Sequence, residues 1–82
     1  MKLYLISQDQ NDDYDTYNSA VVAAPDEQTA KNINPGGGSV FINWKSKNYG
    51  WCRGVEHVHV EYIGEAAPDV ELGVVLASFK AG

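Results

Sequence analysis

The sequence predicts an α+β fold: a mostly antiparallel sheet of four to five strands with one short helix on one face, in the order β-β-α-(β)-β-β. Three observations lead there. Residues 56–62 alternate apolar and polar, placing Val58, Val60 and Tyr62 on one face and His57, His59 and Glu61 on the other. Residues 73–79 form a second legible strand, Gly-Val-Val-Leu-Ala-Ser-Phe. The only good helical stretch, residues 27–33, is too short to cover both faces of a sheet.

Taken in order, residues 2–8 are apolar on both parities (Leu3 and Leu5; Tyr4 and Ile6), which suits a strand covered on both faces. Residues 9–18 are polar and rich in turn formers, so a loop is expected. Residues 19–24 read as a second strand, ended by Pro25, which has no N–H for a ladder. Asp26 is suited to cap the helix, since its carboxylate can accept from the free N–H groups of the first turn, where Glu27 adds favourable charge. Ala30 and Ile33 share the face expected to meet the sheet. Residues 34–38, Asn-Pro-Gly-Gly-Gly, stop the helix. Residues 40–44 suit a short strand, residues 45–54 read as irregular, and residues 64–69 form a loop containing Pro68.

The 82 residues amount to one domain, residues 1–82. A domain of this size buries a thin core, and many supplement it by self-association, so a homodimer is a reasonable expectation. Cys52 is the only cysteine, which fits a reducing compartment. The apolar run at residues 3–6 is too short for a signal-peptide core, and no stretch has the ~20 apolar residues of a membrane helix. The expected location is the cytoplasm, without membrane attachment. A net charge of −5 argues against direct binding of nucleic acid, whose phosphates require a positive surface. The same charge fits a basic partner, including a nucleic-acid-binding protein whose groove an acidic surface would occupy; it also serves solubility alone.

Motifs for catalysis and cofactors are weak. Asp9, Asn11, Asp13 and Asp15 imitate the start of a calcium loop, but the sixth position is Tyr14 and the twelfth Ala20, where glycine and glutamate are required. The glycine run at residues 36–38 follows a helix instead of preceding one, so it lacks the phosphate-loop context. His57 and His59, with Cys52 and Glu61, lack any zinc-type spacing. Cys52 sits beside Trp51 with nothing to activate it as a nucleophile. No catalytic residue, metal ligand or cofactor is assigned, and the chain is read as a binder, not an enzyme.

The stretch from Trp44 to Arg53 carries Lys45, Lys47 and Arg53, half of the chain's bases, without an acid. The remainder holds all eleven acids against three bases. Trp44, Tyr49 and Trp51 interleave with these cations. Such a pattern suits stacking on a nucleotide, with Trp51, Tyr49, Lys47 and Arg53 as its contacts and the Gly36–Gly38 turn near its phosphate. It equally suits a protein interface, and it also arises when tryptophans simply fill a thin core.

Residues 1–8, 14–17, 19–24, 32–35 (Asn-Ile-Asn-Pro), 60–66 and 73–79 together resemble a group of small proteins encoded by bacteriophages, prophages and other mobile elements. Residues 36–54 depart from that group in being longer and more basic. The resemblance implies no activity and no catalytic residues; it implies the setting of an accessory or counter-defence factor acting stoichiometrically on a host component. The leading expectation is therefore a protein that binds and blocks a host protein, such as a nucleic-acid-binding defence effector. Trp44, Lys47, Tyr49, Trp51 and Arg53 would supply anchors, and Asp12, Asp13 and Asp15 would steer towards a basic surface. The alternatives are a protein that sequesters a nucleotide signal, and a small enzyme or metal site at Cys52, His57 and His59.

Overall fold

The computed structural model describes residues 1–10, 16–36, 39–45 and 50–80, with residues 79 and 80 as backbone alone. Four strands, β1 (Lys2–Ser7), β2 (Thr16–Ala24), β3 (His59–Glu65) and β4 (Gly73–Lys80), form one antiparallel sheet in the order β3-β1-β2-β4. A short helix α1 (Glu27–Lys31) packs against β1, β2 and β3. The predicted α+β class, with an antiparallel sheet and one short helix, is the architecture observed.

Register makes one face of the sheet the core. Tyr4 pairs with Val22 and Tyr62, and Ile6 pairs with Ala20 and Val60, so these side chains share a side. The next layer comes from Ala30 and Ile33 at the helix and from Ile42, Trp51, Cys52 and Val58 beyond it. Fully burying a side chain such as Ile6 or Ile33 contributes roughly 1.5–3 kcal/mol. The opposite face bears Leu3, Leu5, Val21 and Leu76. The alternation expected at residues 58–62 holds where the strand forms, with Val60 and Tyr62 towards the core face and His59 and Glu61 away from it.

Several boundaries differ from expectation. β2 begins at Thr16 instead of residue 19, because residues 16–19 find partners in Lys80, Phe79 and Ser78 of β4. The helix ends at Lys31; Asn32 caps it, its N–H donating to the Thr29 carbonyl and that of Ile33 to the Ala30 carbonyl. Ile33 leaves the helix and forms an isolated bridge with Phe41, and this bridge is all that appears of the strand expected at residues 40–44. Val55–His57 is a single 3-10 turn, so β3 starts later, at His59, and runs on through Gly64 and Glu65, which were expected in a loop. β1 is apolar on both parities: Tyr4 and Ile6 are buried in the core, while Leu3 and Leu5 on the other face are half-buried, with Ala23 buried opposite Leu3.

Each edge strand is irregular. The shift between Leu3 and Tyr4 leaves Ile63 as the extra residue of β3, and the shift between Val21 and Val22 does the same to Val75 of β4. Gly73 starts β4 at φ +132°, a conformation that side-chain-bearing residues rarely adopt.

Candidate functional site

The acidic loop and the basic aromatic stretch are far apart in sequence, but the fold joins their stems. Gln10, the last described residue before the acidic loop, accepts through Oε1 from the backbone N–H of Arg53 at 2.9 Å. On the other side of the loop, the Tyr17 N–H donates to the Gly50 carbonyl at 2.8 Å. Gln8 closes the stem, its Nε2 donating to the Tyr17 carbonyl and its backbone N–H to that of Asn18. Residues on both sides of the loop are thus bonded to Gly50 and Arg53, near the end of the basic stretch. Asp12, Asp13, Asp15, Lys47 and Tyr49 lie outside the described residues.

The two tryptophans have different surroundings. Trp51 is only 2% exposed and belongs to the core, so its ring is not presented at the surface. A nucleotide base has no access to it while the core is closed, which leaves Trp51 filling the thin core. Trp44 is half-buried; its indole Nε1–H donates to Asn32 Oδ1 at 2.9 Å. Asn32 in turn donates from Nδ2 to the Gln28 carbonyl at 2.9 Å. Trp44 is therefore tied to the C-terminal cap of α1 and is partly exposed. Arg53 is exposed.

The remaining chemistry-bearing residues are dispersed. Cys52 is fully buried, and its thiol donates to the Gly54 carbonyl at 3.4 Å. Burial pushes that thiol above its usual range, so it is held in the un-ionised, weakly reactive form. His57 lies in the 3-10 turn, 3.6 Å from Glu56, whereas His59 is on β3, 3.9 Å from Asp9. Among the described residues no three of His, Cys, Asp and Glu gather as a metal would need. Among the same residues no helix is long and apolar enough to cross a membrane.

Two features were missed in sequence. Gln10 joins the stems, yet a glutamine within a polar loop carries no mark of such a role. Val40 and Phe41 are about half-exposed at the turn following the glycine run, where the sequence pattern suggested a strand. The carbonyl of Val40 accepts from Asn34 N–H, and Ile42 N–H donates to Asn32, so this apolar tip is held beside the helix end that also carries Trp44. No family model, curated protein or solved structure matches the chain.

Proposed function

We propose that the protein is a non-enzymatic accessory factor of the cytoplasm that binds and blocks a partner protein. In the phage-type setting its sequence resembles, the partner is a host defence effector with a basic surface. One observation supports this most: Gln10 and Tyr17, which flank the acidic residues, are hydrogen-bonded to Arg53 and Gly50 of the basic stretch. Carboxylates steer a basic partner into place, while partly exposed aromatics such as Trp44 and Phe41 supply desolvated anchors. Trp51 contributes indirectly by holding the base of the stretch in the core.

The test is capture of partners from bacterial host lysate by the wild type and by a variant with Asp12, Asp13 and Asp15 all changed to lysine. A partner retained by the wild type, released as salt rises and lost from the variant supports the reading. A partner retained equally by both proteins removes the steering role of the loop. Capture of none from any host lysate removes the blocking function.

A further inference from the structure

We infer that the C-terminal end of α1 carries a contact surface for an acidic protein segment. Val40, Phe41 and Trp44, flanked by Lys31 and Lys45, dock a stretch in which carboxylates accompany apolar side chains. This rests on the proposed reading in taking Phe41 and Trp44 as anchors, and adds the chemistry of the surface they engage.

Charge in this chain is segregated more sharply than its net value suggests. Residues 28–55 contain no acid and four bases, Lys31, Lys45, Lys47 and Arg53. All eleven acids and the other two bases lie outside that range, so the net charge of −5 divides into +4 and −9. The fold keeps the described part of the range together as the layer over the core face of the sheet. Ile33, Ile42, Trp51 and Cys52 enter the core, and Ile33 bridges Phe41. The Debye length at physiological salt is about 8 Å, whereas the molecule measures 35 × 24 × 22 Å. A partner therefore meets the local sign of the surface more than the net charge.

The apolar part is fixed in advance. Val40 and Phe41 are 45% and 46% exposed, and Trp44 is partly exposed. Backbone hydrogen bonds from Asn34 to Val40 and from Ile42 to Asn32 hold the tip. The Trp44 indole is held by the Asn32 side chain, so little freedom is lost on docking. Lys31 and Lys45 adjoin Asn32 and Trp44 in sequence. Ion pairs among the described residues are those of His57 with Glu56 and His59 with Asp9, so neither ammonium is held by a carboxylate there.

Length selects the occupant. The acid-free range is bounded by Glu27 and Glu56, and Asp26 and Glu27 stand at the start of α1. Duplex nucleic acid carries a charge every ~1.7 Å along its axis, so its phosphates run on past the lysines onto these carboxylates. A protein segment supplies a few carboxylates with apolar neighbours and then stops. Its acids meet Lys31 and Lys45 at the rim, while its apolar groups cover Val40, Phe41 and the exposed part of Trp44. With the acidic loop, the chain then suits a partner bearing both signs, since like charges oppose every other orientation.

The probe is a random copolymer of glutamate and tyrosine, titrated by calorimetry into the full chain up to roughly 1 mM. Polyglutamate and oligothymidylate serve as comparators, at low and at physiological salt. The wild type should bind the copolymer more tightly than either comparator, and more weakly as salt rises. Lys31→Glu combined with Lys45→Glu should weaken that binding roughly tenfold. Phe41→Ser should weaken it too, with less change in salt dependence. Lys45→Glu alone, at an exposed position, keeps the test if the double variant loses its circular dichroism spectrum. The variant with Asp12, Asp13 and Asp15 changed to lysine should bind the copolymer at least as well as the wild type. Failure of the loop's steering role and failure of this surface are thereby read separately. A wild type that binds no copolymer overturns the inference; binding untouched by the lysine and Phe41 substitutions does so by placing the surface elsewhere. Oligothymidylate bound most tightly overturns it in favour of nucleic acid, and polyglutamate bound equally well overturns the apolar anchoring.

Discussion

Replacing Trp51 with alanine separates a core residue from a surface anchor. The side chain is 2% exposed and lies among Tyr4, Ile6, Ile33, Ile42 and Val58 in one buried cluster. An aromatic side chain of this kind buries 150–250 Å², or roughly 4–6 kcal/mol at about 25 cal/mol per Å². That is an upper figure, because the unfolded chain already hides part of this surface. Measured truncations of buried Phe or Trp to alanine cost about 3–5 kcal/mol, cavity included. An 82-residue chain has about 4–12 kcal/mol in total, so Trp51→Ala should lose at least a quarter of its stability and verge on unfolding. Trp51→Phe retains most of the apolar volume and should cost less. The assay is urea unfolding followed by circular dichroism, with the cost read from the shift in midpoint at constant slope. A Trp44→Phe protein, whose only indole is Trp51, provides an independent check, since its emission should be blue-shifted and shielded from acrylamide. A cost within about 0.5 kcal/mol, the range of ordinary surface substitutions, or a readily quenched Trp51, would refute the placement of this residue in the core.

Two further predictions concern titratable groups. Asp26 accepts from the Thr29 N–H at 2.7 Å, and hydrogen bonding with Thr29 lowers its pKa below the ordinary carboxylate value. The folded state therefore favours the charged form: its contribution is complete above the unfolded pKa of about 4 and is lost as pH falls through the folded value. Thermal melting from pH 5 downwards should show this loss, and Asp26→Asn, which keeps an effective cap, should remove that part of the pH dependence. Cys52 should react with a disulfide reagent at pH 8 at least ~10-fold more slowly in the native protein than in urea, because burial both blocks access and raises the thiol pKa. Native-state reactivity equal to that in urea would contradict the burial.

Local chemistry made much of the fold legible. The carboxylate of Asp26 accepting from Thr29 is the cap expected from residue type and position, and Pro25 ends β2 where a missing donor should. Alternation at residues 58–62 located the core face of β3 because period-2 patterning survives whenever one face is buried. The expected strand at residues 40–44 did not form because its apolar residues serve different layers: Ile42 points into the core, while Val40 and Phe41 remain exposed around a single bridge. β2 began early because Thr16 and Tyr17 pair with β4, more than sixty residues away, a contact no local window contains.

The candidate site divides the same way. Composition alone separated an acidic loop from a basic aromatic stretch, since charge is a property of residues and needs no coordinates. Whether an aromatic in that stretch faces solvent or core depends on what packs over it, and tertiary packing put Trp51 inside while leaving Trp44 part-exposed on Asn32. By itself, the sequence determined the class of fold, the helix cap and the segregation of charge, all of which follow from short-range periodicity and residue chemistry. Only the tertiary structure decided the strand order, the burial of Trp51 and the meeting of Gln10 with Arg53, because each depends on residues brought together by long-range pairing.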